Sequence, residues 1–225
     1  MSDIRVNAAQ TTISRVTDGR LVQMRGMRDG SAIVAPWEMA LVMEGKVFGA
    51  NAGTITTGIA GHATADGDQP EIAIRAAADT LVVLPLYLEA VTQSFETTLG
   101  IHGVFWAISP TDVGNGTSTA FTPVQLNLSS SAAAAAVCRV AYTGNGAADP
   151  LTTTWYELTR AAGNFDSDAA TSGILGLKAV YSSKNDAAVP ILARTGCITG
   201  YGEGGTGANF FFTAKWAEFT QAEIE

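Results

Sequence analysis

The stretch Asn209-Phe-Phe-Phe-Thr-Ala-Lys-Trp216 decides the fold, because its large apolar side chains fall on alternate positions. The two alternating sets are Phe210, Phe212, Ala214 and Trp216 on one face and Thr213, Lys215 and Ala217 on the other. A period of two is typical of a strand with one buried face. The same alternation recurs at 41–48 and 71–75. The sequence therefore predicts an all-β protein.

Two further stretches are apolar on both faces and not on one. They are Leu81-Val-Val-Leu-Pro-Leu-Tyr-Leu88 and Ile101-His-Gly-Val-Phe-Trp-Ala-Ile108. A strand of an antiparallel sandwich normally exposes one face to water, so we expect a helix, a long loop or another subunit to cover the outer face of each. Pro85 lacks a backbone N–H, which predicts that it lies at a bulge or at a sheet edge.

Clusters of Gly, Asn and Asp separate the apolar runs at short spacing, as in Gly144-Asn-Gly146 and Gly200–Gly207. Many short strands punctuated in this way are typical of an antiparallel β-sandwich. The predicted strands lie near 40–48, 71–75, 81–91, 99–108, 137–142, 188–193 and 209–219. Little helix is expected, and the two candidate helical stretches are Ala132–Ala136 and Trp155–Ala162.

The organisation predicted along the chain is a single domain with two terminal segments. Residues 1–36 form an extended N-terminal arm with the first strand or strands, residues 37–219 form the sandwich, and residues 220–225 form a tail. We find no internal repeat, no run of about 20 apolar residues that would span a bilayer, and no signal-peptide pattern in Met1–Gln10.

Composition limits the function classes. The chain has 225 residues, 47% of them hydrophobic and only 15% charged, and Ala, Thr and Gly make up over a third of it. Low charge and small residues suit a surface that other protein covers, although a Thr-rich extracellular domain has the same character. The net charge of −8 argues against a general nucleic-acid binder. Residues 1–28, however, carry five arginines and two aspartates, a balance of +3.

Motifs for catalysis or cofactor binding are weak. Gly200-Tyr-Gly-Glu-Gly-Gly205 matches the dinucleotide pattern GxGxxG, but the segment after it reads as a strand and not as a helix, so an interstrand loop is the preferred interpretation. His62, Asp66 and Asp68 could in principle ligate a divalent ion, and a polar turn explains them better. His102 on an apolar strand is expected to be an interior residue. We expect no metal and no cofactor.

No nucleophile motif is present, and Cys138 and Cys197 are expected to be buried free thiols. Glu89 and Glu96 are candidates for the paired carboxylates of a glycosidase. Four tryptophans could stack on sugar rings: Trp37, Trp106, Trp155 and Trp216. A carbohydrate-binding or carbohydrate-cleaving sandwich is therefore an open alternative, although core and interface positions are more usual for tryptophan.

The order of these features resembles jelly-roll coat proteins of icosahedral viruses and phages. The residues that carry the resemblance are the N-terminal arm, the paired strands from about Glu38 to Ala60, Gln69–Arg75 leading to Leu81–Val91, Leu99–Ile108, and the aromatic last strand Phe210–Phe219. The likeness is one of general sequence character over about Trp37–Phe219, and it includes no signature motif. It differs in the arm, which lacks the dense basic run of many RNA-packaging coats.

The resemblance implies a jelly-roll sandwich that assembles into a shell, without catalysis and without site residues. It implies that the partners are copies of itself and other virion proteins, with contact between the N-terminal arm and the genome only weakly implied. It also implies a location in the virion after synthesis in the host cytoplasm. A decoration, spike or fibre-base protein has the same sequence character, and a bacterial structural or adhesive domain is a further possibility.

Overall fold

The computed structural model describes residues 36–76, 78–94, 100–144, 146–152, 154–165, 176–186, 188–204 and 208–224. Within these residues it contains one α-helix, thirteen strands and a C-terminal 3₁₀ turn at Gln221–Glu223. In chain order the α-helix and strands are α1 (Trp37–Met43), β1 (Val47–Ala52), β2 (Ile59–Ala60), β3 (Ile72–Ala76), β4 (Leu81–Ser94), β5 (Gly100–Ser109), β6 (Thr117–Phe121), β7 (Val124–Gln125), β8 (Val137–Gly144), β9 (Tyr156–Phe165), β10 (Lys178–Ser182), β11 (Leu192–Ala193), β12 (Gly196–Glu203) and β13 (Asn209–Thr220).

The strands form two antiparallel sheets packed as a sandwich. The first sheet has the order β10-β4-β13-β1-β7, with β11 added to β4 and β2 added to β13. The second has the order β6-β8-β3-β12-β5-β9. Every pairing between named strands in the described residues is antiparallel. The predicted all-β antiparallel sandwich is therefore confirmed.

The core lies between the two sheets and is built from the alternating sets that the sequence shows. Phe210, Phe212 and Trp216 of β13 are fully buried, and the Trp106 ring of β5 meets the Phe212 ring edge-on at 5.6 Å between centroids. Burying one large apolar side chain stabilises a fold by about 1.5–3 kcal/mol. The strands at the middle of each sheet thus carry many of the large buried side chains that stabilise the fold.

The predicted strand near 40–48 is wrong over its first part, because Trp37–Met43 is the helix α1 and the strand begins only at Val47. Met, Ala, Leu and Glu are good helix formers. Glu38 lies in the first turn, and Gly45 follows the helix with a φ of +72°, a conformation that glycine adopts readily. The apparent period of two across 41–47 joins the end of a helix to the start of a strand.

The doubly apolar strands are covered on their outer faces, as predicted. Leu84 and Leu86 of β4 pack in a cluster with Leu41 and Val42 of α1. The outer face of β5 is covered differently, because Phe105 and Ala107 pack with Tyr201 beneath Ala65 and Leu151 of two loops. A helix covers one strand and loops cover the other.

Pro85 lies at an irregularity of its sheet, as its missing N–H predicts. The register between β13 and β4 shifts here, so that Trp216 lies opposite Pro85 while Lys215 lies opposite Tyr87. On the other side of β4, β11 pairs with Val82 and Val83 and β10 pairs only from Tyr87 onward. The proline therefore falls between two partner strands.

Several other predicted elements need correction. Trp155–Ala162 is not a helix, because β9 begins at Tyr156 and pairs along β5, and a long-range pairing of this kind overrides local propensity. Ala132–Ala136 is not helical either, since the backbone N–H groups of Ala135 and Ala136 donate to the Glu218 carboxylate. The strand predicted at 188–193 is reduced to Leu192–Ala193.

The structure describes the C-terminal end of the chain almost completely and the N-terminal segment only at its last residue. The last strand extends to Thr220, and the tail predicted at 220–225 begins with the 3₁₀ turn. The N-terminal arm predicted for 1–36 lies outside the described residues, except for Pro36. The helices that the structure describes are too short or too polar to cross a lipid bilayer.

Candidate functional site

The glycines of the dinucleotide-like pattern belong to a strand. The interpretation of Gly200–Gly207 as a loop is wrong for its first half, because β12 continues to Glu203, and Gly205–Gly207 lies outside the described residues. A Cβ on Gly202 would lie 2.4 Å from Cδ2 of the buried Phe210 ring. These glycines therefore make room for the aromatic side chains of β13.

The His62, Asp66 and Asp68 turn does not bring its three side chains to one point. His62 forms a parallel bridge with Glu203, and its backbone N–H donates to the Gly202 carbonyl at 3.1 Å. Asp66 accepts a hydrogen bond from Gln69 Nε2 at 2.9 Å, and burial, together with the neighbouring Asp66, raises the pKa of Asp68. Across the described ranges, no group of three or more His, Cys, Asp or Glu side chains could hold a metal ion.

The candidate catalytic carboxylates are not brought together as a pair. Glu89 lies on the outer face of β4, where Lys178 Nζ is 2.8 Å from its Oε2 and the Tyr87 hydroxyl also donates to it. Burial acts to raise the pKa of Glu89, and the hydrogen bonds from Lys178 and Tyr87 outweigh it and lower that pKa. Glu96 lies outside the described residues. His102 is 3% exposed, an interior residue as predicted.

The tryptophans and cysteines divide between core and surface. Trp106 and Trp216 are fully buried, whereas Trp37 and Trp155 are partly exposed on separate elements. Cys138 and Cys197 are buried free thiols, as predicted, and burial raises the pKa of each to about 12. A thiol with so high a pKa is a poor nucleophile at neutral pH.

Glu71 is a chemically unusual residue that the sequence did not single out. It is 1% exposed and lies just before β3, where its Oε2 accepts the Gly202 N–H at 2.8 Å. Burial raises the pKa of this carboxyl to about 8. The Glu71 carboxylate accepts a hydrogen bond from β12 at the point where β3 begins, so this contact is that of a structural residue.

The most distinctive surface feature is an apolar area at α1 and β7, here called the α1–β7 surface. Its five large side chains are each about half exposed or more: Trp37 (47%), Met39 (58%), Met43 (71%), Val124 (55%) and Leu128 (84%). The opposite side of α1 packs on the sandwich through Leu41 and Val42. Exposed apolar areas of this kind mark sites of protein interaction, and methionine adapts its shape to a partner.

Backbone contacts hold the two segments of the α1–β7 surface together. Asn127 Nδ2 donates to the Met43 carbonyl at 3.1 Å, and Gln125 Nε2 donates to the Gly45 carbonyl at 2.6 Å. The Leu126 N–H donates to the Val47 carbonyl at 2.9 Å. Helix and edge strand thus form one fixed platform.

Sequence reasoning missed this platform because it assigned α1 to a strand. The signals that could have identified the helix were present: Pro36 before it, Glu38 in its first turn and Gly45 beyond its end. The exposed half of a short amphipathic helix would then have followed from its pattern.

Comparison with known proteins finds no relative. No protein-family model matches the chain, and no curated protein and no solved structure matches it either.

Proposed function

We propose that this protein is a virion structural protein, a capsid protein or a shell decoration protein, that self-assembles through extensive subunit interfaces. The observation that carries the proposal is the strand order. A jelly roll is a long antiparallel hairpin wrapped into a sandwich, in which the first strand pairs with the eighth, the second with the seventh, the third with the sixth and the fourth with the fifth.

The pairings of eight principal strands support a jelly-roll topology. These strands are β1, β3, β4, β5, β9, β10, β12 and β13, and their hairpin pairs are β1·β13, β3·β12, β4·β10 and β5·β9. The sheets are completed by β13·β4 and β12·β5. The strands β6, β7 and β8 form an insertion between the fourth and fifth principal strands. Jelly rolls occur in viral capsids, lectins and cupins. Such a topology is therefore compatible with several functions, and the character of the surface has to distinguish among them.

The surface supports assembly. The interior of the sandwich is filled by large side chains such as Trp106 and Phe212, whereas the α1–β7 surface leaves apolar groups exposed. Exposed aromatic and methionine side chains are enriched at protein interfaces. The chain is also low in charged residues, at 15%. Exposed apolar side chains together with a low content of charged residues suit a shell subunit whose surface is covered by its neighbours.

Sugar binding remains the alternative, and one feature favours it. A cleft of about 450 Å³ at the ends of β1 and β13 is lined by Asn51, Ile55, Phe211 and Thr213 among others. A partly exposed aromatic ring beside amide and hydroxyl groups is a chemistry that sugars accept. This site would use the outer face of the first sheet and would need no assembly.

The solution mass of the purified protein tests the proposal. Light scattering and electron microscopy across a range of salt and protein concentrations should find trimers, pentamers or shells. Monomers under all conditions would overturn assembly, and clear hits on a glycan array for such monomers would establish the alternative. Assembly without glycan binding would exclude the alternative.

A further inference from the structure

We propose that Asn115 is a self-modification site, at which the Gly116 backbone nitrogen displaces the side-chain amide as ammonia and water then leaves a carboxylate. This reaction is independent of assembly and is one that the chain carries out on itself. The dipeptide Asn-Gly occurs at two places in the sequence, Asn115-Gly116 and Asn145-Gly146. The surroundings of the first pair are those that favour the reaction.

The loop that carries Asn115 is anchored to the outer face of the second sheet. Arg75 of β3 is 7% exposed and pairs with Asp112, with its Nε 2.5 Å from Oδ1 and its Nη2 2.6 Å from Oδ2. The Tyr142 hydroxyl of β8 donates to the Gly114 carbonyl at 2.8 Å. These two contacts fix the backbone directly before Asn115.

Arg75 also contacts the group that reacts. Its Nη1 donates to Oδ1 of the Asn115 side chain. A hydrogen bond from a cation makes the amide carbon more electrophilic, and it stabilises the negative charge that Oδ1 gains when a nucleophile adds to Cγ. Because the guanidinium is buried and already held by Asp112, this donor is in place before the reaction begins. Arg75 is thus positioned as a catalytic residue of the reaction.

The attacking nitrogen and the water are both unobstructed. Asn115, Gly116 and Thr117 are all exposed. Gly116 has a φ of +48°, a conformation that glycine adopts readily, and glycine places no side chain beside its own nitrogen. Water therefore has access to Cγ of Asn115, as the second step of the reaction requires.

The reaction balances with water as its only co-reactant. The Gly116 N–H gives its proton to hydroxide, the nitrogen bonds to Cγ of Asn115, and the oxyanion forms on Oδ1, which faces Arg75. Its collapse breaks the Cγ–Nδ2 bond, and Nδ2 takes a proton from water and leaves as ammonia. Water then opens the succinimide ring at either carbonyl, so that residue 115 becomes aspartate or isoaspartate.

The same arginine favours the product. A carboxylate at position 115 adds one negative charge, and it accepts from Arg75 a stronger hydrogen bond than the neutral amide does. Gly116 directly precedes β6, which is an edge strand of the second sheet. The added charge, and in isoaspartate the lengthened backbone, therefore fall at the entry to a sheet edge.

The second Asn-Gly pair is a matched control within the same chain. The Gly146 N–H donates to the Asp68 carbonyl at 2.9 Å, so the nitrogen that would attack is held by another group. Asn185 is a further control, because it is exposed and is followed by Asp186, whose side chain hinders the attacking nitrogen. Unfolding removes the difference between the two Asn-Gly pairs, which should then react at similar rates.

Peptide mapping of the full-length protein by mass spectrometry tests the proposal. Samples are incubated at pH 8, folded in buffer or unfolded in guanidinium chloride, and the conversion of each asparagine is followed with time. The rate at Asn115 should be at least about tenfold higher in the folded chain than in the unfolded chain, while the rate at Asn145 should fall on folding. A folded rate at Asn115 equal to or below the unfolded rate would overturn the proposal, and an equal acceleration at Asn145 would overturn the role of Arg75.

The variant Arg75→Lys separates catalysis by the arginine from simple restraint of the loop. Lysine cannot hold Asp112 and Asn115 together with a planar fork of nitrogens. If Arg75 only restrained the loop, the variant would react faster, whereas the loss of a catalytic donor should slow the reaction at Asn115 by about three- to tenfold. Arg139→Lys is the matched control, since Arg139 Nη1 donates to the Ser118 carbonyl of the same loop at 3.3 Å and does not contact the reacting amide. A rate in Arg75→Lys equal to or above that of the wild type would contradict catalysis by Arg75, and if this variant does not fold, the comparison of folded and unfolded wild type decides alone.

Discussion

Glu71 carries a carboxyl group that the fold keeps protonated near neutral pH, because burial raises its pKa to about 8 from an ordinary value of 4.5. Below pH 4.5 the folded and unfolded chains both bind this proton. Between pH 4.5 and 8 only the folded chain retains it, so the stability that the neutral carboxyl provides decreases as the pH rises and is lost above about pH 8.

Replacing Glu71 with Gln should remove this dependence. One unit of pKa shift corresponds to about 1.4 kcal/mol, so the wild type should lose on the order of 4 kcal/mol of unfolding free energy between pH 5 and pH 9 through this group. The uncharged Glu71→Gln variant should lose much less. Urea unfolding at both pH values measures the difference. The exposed Glu44→Gln variant is the control and should follow the wild type, and parallel curves for Glu71→Gln and wild type would contradict the assignment.

The glycines of β12 give a second test at single positions. Gly202→Ala should lower the free energy of unfolding by about 1–3 kcal/mol, since the added methyl group would lie 2.4 Å from the Phe210 ring, which is fully buried and cannot yield. Gly163→Ala on β9 is the matched control, because the nearest atom to its added methyl group would be Leu177 Cδ2 at an ordinary 3.4 Å. Equal losses of stability in thermal unfolding would show that the ring does not restrict Gly202.

Strands that pair over long distances were predictable, because their apolar residues fall on every second position. Short elements were not predictable in this way. The alternation of β13 and the doubly apolar runs of β4 and β5 follow from burial, which is visible in sequence. The helix α1 was missed because seven residues hold too few turns to establish a period. Glu71 was missed because its hydrogen-bond partner, the Gly202 N–H, is 131 positions away in the sequence. Pairing partners of this kind exist only in the folded chain.

The Ala-rich segment before β8 shows how one side chain can fix an irregular element. The Ala135 N–H donates to Glu218 Oε2 at 2.6 Å, the Ala136 N–H donates to Oε1 at 3.2 Å, and Trp216 Nε1 donates to the same Oε1 at 2.8 Å. Glu218 is 7% exposed. This buried carboxylate therefore supplies the acceptors that a helix would otherwise provide through its own backbone.

Glu218→Gln should release the segment, because an amide nitrogen cannot accept a hydrogen bond and leaves at least one of the three N–H groups without its acceptor. The expected cost is about 1–3 kcal/mol of unfolding free energy, with faster hydrogen exchange at Ala135 and Ala136. Glu157→Gln is the control, since Glu157 pairs with Arg160 at the surface and such pairs contribute little. Unchanged exchange at both alanines would show that the carboxylate does not hold the segment.

The two sides of the sandwich differ in a way that bears on assembly. On one side the sheets are joined, because Thr159 Oγ1 of β9 donates to the Val180 carbonyl of β10 at 3.2 Å. On the other side the sheets end in β6 and in the two-residue strand β7. Sheet edges are templates for added chain. The α1–β7 surface lies on this second side, so a segment that docks there would bind beside the edge strand β7.

Deleting residues 1–28 should therefore leave a folded domain that no longer assembles. The described strands of both sheets lie between Val47 and Thr220, so all of them remain after the deletion. Circular dichroism and thermal unfolding should match the full-length chain, while light scattering should find the subunit alone. Arg15→Ala and Arg20→Ala should each have mild effects at moderate salt, because each removes a single charge that salt screens. An unfolded product would place the arm in the core, and unchanged assembly would show that the arm has no docking role.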